Sequence, residues 1–236
     1  MSLDNLVEQL RAVFGRELRS VVLYGSAAAG EHIPKRSDYN VLVIVDSLDL
    51  VHLRSLSATA GAWREAGNPA PLTFTWEEWL DSADIFPMEY ADVLERHRIL
   101  HGDPPFDGIR VSGADLRLQL EHEAMGKLLK LRQGVLEAGN DGARQVELLA
   151  ASLSTIMVIF RAVERLCGRV PSKDNAALST AVATATGVDA QPFVRVVRHL
   201  RGEATLDLGE AREVLDGYLR GLEGVVRFLD RFAVSG

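Results

Sequence analysis

The sequence predicts an α+β protein, a mixed α/β portion over residues 1–110 followed by an all-α helical bundle over residues 111–236. Three observations predict it. Short apolar runs bounded by Gly, Pro, Ser and Asp occur only in the first half and read as strands alternating with helices. From about residue 112 the apolar residues recur at helical spacing over long segments. Between the two regimes lies His101-Gly102-Asp103-Pro104-Pro105, a composition that breaks regular structure and suits a linker, and places the boundary near residues 106–112.

Leu3, Leu6, Val7, Leu10, Val13 and Phe14 recur at a spacing that gives a first helix one buried face. Val21 to Tyr24 is an apolar run that meets Gly25-Ser26; small residues follow, and Ser37-Asp38 opens a second run from Val41 to Val45. This order predicts a strand, a tight Gly-Ser turn, a helix and a second strand carrying an acid. Asp49 to Ala66 reads as one helix, stopped by Gly67 and then by Pro69 and Pro71. Leu72 to Thr75 is a short strand. Thr75 caps the helix that follows, with Glu78 three residues on completing a capping box. Asp84 to Glu95 is interrupted by Pro87 but too apolar for an exposed loop, so part of it lines the core. Arg98 to Leu100 reads as another short strand.

In the second half, helices are predicted over Ala114–Ala138, Asp141–Cys167, Lys173–Thr186 behind a Ser172 cap, Ala190–Leu200 with Pro192 in its first turn, and Leu208–Phe232. Long helices joined by short loops make an antiparallel bundle the expected architecture.

Composition narrows the function. With 47% hydrophobic residues in 236 the chain builds a packed core. The single cysteine, Cys167, excludes an intrachain disulfide framework and a cysteine zinc site. A formal net charge of -7 argues against general nucleic-acid binding, and the acidity belongs to residues 1–110, with 10 Lys and Arg against 17 Asp and Glu. The amino terminus reads as an amphipathic helix, not a secretory signal. The least polar stretch, Leu148 to Phe160, falls short of the roughly 20 apolar residues of a membrane span. A soluble, cytoplasmic protein is expected, with no membrane partner.

At Leu23-Tyr24-Gly25-Ser26, Ala29-Gly30 and Ser37-Asp38-Tyr39-Asn40 the chain resembles the polymerase-beta-like nucleotidyltransferase superfamily, which includes the aminoglycoside nucleotidyltransferases. That family shows a hydrophobic strand, Gly-Ser or Gly-Gly opening a helix, and Asp-x-Asp on the next strand, often with a helical carboxy-terminal domain. The resemblance implies a nucleotidyltransferase-like sheet domain, an active cleft between it and the bundle, and Mg2+ with a nucleoside triphosphate as cofactor. It makes Asp38 the metal ligand, sets Gly25, Ser26 and Ser37 at the phosphates, and lets Lys35 and Arg36 contact an anion. Nucleotidyl transfer needs charge neutralisation and in-line positioning, which two divalent ions held by carboxylates supply. Asp38 reads alternatively as a turn residue ahead of a strand.

Against that requirement two acids are missing. Asn40 stands where the second Asp of the pair is expected, offering a carbonyl oxygen and no charge. In the neighbouring strand, where a third acid is sought, the polar positions are Thr73 and Thr75. Glu77, Glu78, Asp81, Asp84, Glu89 and Asp92 form an acidic run that reads first as helix caps and solvated surface, and second as a reserve for the missing acid. Trp63, Trp76 and Trp79 read as packing residues, and Glu121-His122-Glu123 as an exposed helix face.

The sequence therefore supports a divergent, catalytically impaired member of this fold, a pseudoenzyme that binds a nucleotide, another small ligand or a protein in the interdomain cleft. The alternative is an active Mg2+-dependent transferase moving a nucleotide to a small hydroxylated acceptor such as an aminoglycoside. Homodimerisation through a bundle face with exposed Leu and Val is the expected self-association.

Overall fold

The computed structural model describes residues 1–25, 27, 28 and 38–233. The chain divides into two compact units, Met1–Ser112 and Gly113–Gly236.

The first unit is built on a four-stranded mixed sheet of order β3-β2-β1-β4, with β1 at Leu18–Tyr24, β2 at Asn40–Val45, β3 at Leu72–Thr75 and β4 at His97–Gly102. β1 runs antiparallel to both β2 and β4, and β2 and β3 are parallel. A parallel pair requires a crossover, here formed by α2 (Leu50–Ser55) and α3 (Ser57–Glu65). One continuous helix is predicted there; two are found, meeting at Leu56. The other helices are α1 (Leu3–Phe14), α4 (Trp76–Asp81) and α5 (Pro87–Glu95).

The central strands are apolar at nearly every position because both faces are covered. Val21, Leu23, Val41, Val43 and Val45 pack with Leu6, Leu10 and Phe14 of α1 and Trp63 of α3. Val22, Leu42 and Ile44 pack with Trp79 of α4, Tyr90 and Val93 of α5, and Ile109. This second layer is pinned by polar atoms. Trp79 Nε1 donates to Pro105 O at 2.5 Å, Tyr90 Oη donates to Trp79 O at 2.7 Å, and the two rings stack at 4.0 Å. The capping box at Thr75 and Glu78 forms as predicted. Pro87 opens α5 at its first turn, where a missing N–H is harmless. His101 and Gly102, predicted as the start of a linker, instead finish β4, paired with Val21 and Ser20.

The second unit is all-helical: α6 (Gly113–Ala138), α7 (Gly142–Leu166), α8 (Asn175–Thr186), α9 (Gln191–Arg201) and α10 (Ala211–Arg231). Asp141 caps α7; Asp174 caps α8, with Ser172 accepting instead from the Asp174 N–H. The predicted cap at Ser172 is thus displaced by two residues, to the side chain that reaches the first free N–H groups.

α7 is the central helix, packing against α6, α8, α9 and α10. Its apolar stretch is longer than the sequence reading allows. An 18-residue window reaches a mean hydropathy of 1.8, so by length and composition alone the helix matches a membrane span. In the bundle its Ile156, Met157, Ile159, Phe160 and Val163 are buried. Phe160, Phe193 and Tyr218 form an aromatic core, with Ser152 Oγ 3.2 Å from Tyr218 Oη.

Candidate functional site

The site residues converge at one end of β1 and β2. Tyr24, the last residue of β1, pairs with Asn40 on one side and His97 on the other. Side chains alternate along a strand, so Asn40 shares a face with Leu42, Ile44, Tyr24 and Val22, the face covered by α4 and α5. Beneath, Tyr39 turns the opposite way. Its N–H donates to Asn68 Oδ1 at 2.9 Å and its ring stacks on Trp63 at 6.1 Å, anchoring the residue between Asp38 and Asn40.

Gly25 follows with φ of 76°, a left-handed conformation that favours glycine. Its N–H donates to Arg96 O at 3.0 Å, tying the end of β1 to the end of α5. That N–H is therefore engaged within the protein and is not one of the phosphate donors implied by the resemblance. What Gly25 contributes is space. A Cβ here would lie 3.5 Å from Asn40 Nδ2 and 3.6 Å from Asp92 Oδ2. Asn40 and Asp92 thus face a common point above the glycine.

Asp92 is the residue that the sequence does not single out. It belongs to the acidic run read as surface, yet α5 sets it over the site face. Its Oδ1 accepts from Arg96 Nε at 3.2 Å and also from Arg96 Nη2, with both side chains mostly buried. One signal was available: Asp92 and Arg96 are four residues apart, the spacing of a helical ion pair. Only the fold could show what else Asp92 meets.

The electrostatics place two more carboxylates nearby. Burial, then Asp92, Glu89 and Asp38 in that order, push the Tyr24 hydroxyl up to about 12. Asp38 itself is exposed. Ser26, Lys35, Arg36 and Ser37, together with Ala29, Gly30 and the helix expected between them, lie outside the described residues.

Thr73 and Thr75, the polar positions of the strand where a third acid is expected, lie on the face of the sheet away from Asn40. In the parallel register Thr73 pairs with Val43 and Thr75 with Val45, both turned toward α1. The β3 side chains that share the face of Asn40 are Leu72 and Phe74, so β3 supplies no carboxylate there. Glu78 is committed to the cap of α4. Trp63 and Trp79 are fully buried and Trp76 lies under Arg19 at 4.9 Å, so the tryptophans serve packing as predicted.

Among the described residues no group of three or more His, Cys, Asp and Glu is disposed to hold a metal ion. The donor chemistry agrees. Asn40 brings no negative charge to the common point, and Asp92 already carries a guanidinium. The described residues do not fit a two-ion carboxylate centre.

The fold is that of a nucleotidyltransferase-like sheet domain joined to a helical unit. It is similar to the crystal structure of spectinomycin adenyltransferase AAD(9) from Enterococcus faecialis, determined with ATP and spectinomycin. The TM-score is 0.59 at 12% identity, over 93% of this chain and 98% of that one. No family model and no curated protein matches the sequence.

Proposed function

We propose that this protein is a divergent, catalytically impaired nucleotidyltransferase-fold protein that binds a nucleotide or another small ligand at the Gly25–Asn40 end of its sheet. One observation carries the reading: the Asn40 amide and an Asp92 carboxylate already paired with Arg96 meet above Gly25. Where the resemblance implies metal cations between carboxylates, this chain has a neutral amide at Asn40 and an acid, Asp92, paired with its own guanidinium. The guanidinium lies on Asp92 Oδ1, so part of the carboxylate's charge is already neutralised within the protein. That the AAD(9) structure holds ATP and spectinomycin supports a small-ligand site in this fold.

A second reading is favoured by Asp92 itself. With Asp38 it offers two carboxylates that both act on Tyr24, and if Arg96 swings aside these are the acids of a Mg2+-dependent transferase acting on a small hydroxylated acceptor. Titration calorimetry with ATP and GTP, with and without Mg2+ or Mn2+, separates the two. The proposed reading expects nucleotide binding by the wild type that does not require metal, and no turnover. Metal-dependent binding lost in Asp38→Ala, with nucleotide transfer by the wild type, establishes the second. No binding in wild type, Asp38→Ala or Asn40→Asp refutes a nucleotide site of either kind.

A further inference from the structure

α6 carries a pattern that its own bundle does not use. Leu116, Leu120, Ala124, Leu128 and Leu131 are buried in the helical unit, whereas Leu118, Met125, Leu129 and Leu136 are exposed at 66%, 42%, 50% and 83%. At 3.6 residues per turn the exposed four form one narrow stripe, about 27 Å long. Their positions are symmetric about Lys127, with 118 and 136 equidistant from it and 125 and 129 equidistant within them. A stripe so spaced meets itself when a second copy is turned end over end. Leu118 of one copy then falls against Leu136 of the other, and Met125 against Leu129, the isologous contact of a two-fold dimer.

The borders of the stripe are self-complementary too. Glu121 and Arg132 lie on the same side of it, and the two-fold turn brings Glu121 of each copy level with Arg132 of the other. Within the chain Glu121 meets Arg117 at 3.0 Å and Arg132 meets Glu223 at 2.8 Å. The contact would extend these into two rows of alternating charge, Arg117, Glu121, Arg132, Glu223. On the other border the exposed His122 falls level, to within one position, with Gln133.

Glycine inside a helix is unfavourable, and α6 has two in its interior. Gly134 has a reason within the unit, because a Cβ there would come 2.4 Å from Leu148 Cδ1. At Gly126 a Cβ would meet nothing within 4 Å among the described residues. Gly126 lies one residue from the centre of symmetry and about 80° around the helix from the stripe's axis, so it borders the contact.

We infer that this chain forms a homodimer by antiparallel packing of α6 on α6, with Met125 and Leu129 at the centre. The inference stands apart from the ligand reading, since it uses none of its residues. Sedimentation velocity over a concentration series tests it on the full chain. The wild type is expected to reach twice the 25.8 kDa chain mass. Leu129→Glu and Leu118→Glu, at exposed positions, are expected to weaken association at least tenfold with unchanged circular dichroism. Orientation is read in a Cys167→Ser background by oxidising Leu118→Cys and Leu136→Cys proteins. Crosslinking is expected in their mixture and in neither alone. A wild type that stays monomeric overturns the inference, leaving the stripe to another occupant. So does a Leu129→Glu protein that remains dimeric, or crosslinking of either cysteine variant by itself.

Discussion

Replacing Asn40 by Asp restores the acid that the motif lacks and places it beside Asp92. Both side chains face the point above Gly25, at 3.5 and 3.6 Å from where a Cβ would lie. The facing atoms therefore lie within about 7 Å of each other, where two unit charges repel by about 2 kcal/mol or more at an effective dielectric of about 20. Arg96 on Asp92 Oδ1 and the 22% exposure of the Asp92 side chain reduce this, so a net loss of about 1–2 kcal/mol is expected in the absence of metal. Tryptophan fluorescence during urea unfolding reads the unit concerned, because Trp63, Trp76 and Trp79 all lie within residues 1–112. In chelator, Asn40→Asp is expected to unfold at lower urea than the wild type with the same slope. The deficit should vanish as the pH falls below the carboxylate range, about 4, because protonating the new acid removes the repulsion. Added Mg2+ or Mn2+ should close the gap in the variant and leave the wild type unmoved. Wild-type stability of Asn40→Asp in chelator would refute the proximity of residues 40 and 92. An equal gain from metal in the wild type would refute the claim that Asn40 and Arg96 have displaced it.

Gly102→Ala would set a Cβ 1.8 Å from Arg19 O at a φ of 75°. The β1–β4 edge cannot yield without losing its ladder, so a loss of about 3 kcal/mol or more is expected by the same fluorescence assay, and a near-native urea midpoint would contradict it. Tyr24 should ionise near pH 12, isolated by difference absorbance against Tyr24→Phe. An unfolded tyrosine titrates near 10, so the stability Tyr24 contributes is complete below about pH 10 and is lost as pH rises from there through 12. Asp92→Asn should lower that midpoint part of the way, burial being the larger cause, and an unchanged midpoint would place Asp92 away from Tyr24.

Much of the fold was legible because its determinants are local. The continuous apolar run Val41 to Val45, the Thr75–Glu78 box and the helical spacing of Leu116 and Leu120 each depend on residues within a few positions of one another. The break at Leu56 and the displaced cap at Asp174 were missed because neighbouring residues offered equivalent choices that only packing separates.

By itself the sequence determined the two-part α+β organisation and the position of Asn40 where an acid is expected, since period and motif order are written along the chain. It could not determine which acid returns to the site. Asp92 lies more than fifty residues beyond Asn40 in an acidic run whose members read alike. Sheet register decided that Thr73 and Thr75 face α1, and the docking of α5 on the opposite face brought Asp92 and Arg96 to Gly25. The stripe on α6 divides the same way. Its spacing is in the sequence, but that the helix buries its other side, and leaves this one exposed, is a property of the bundle.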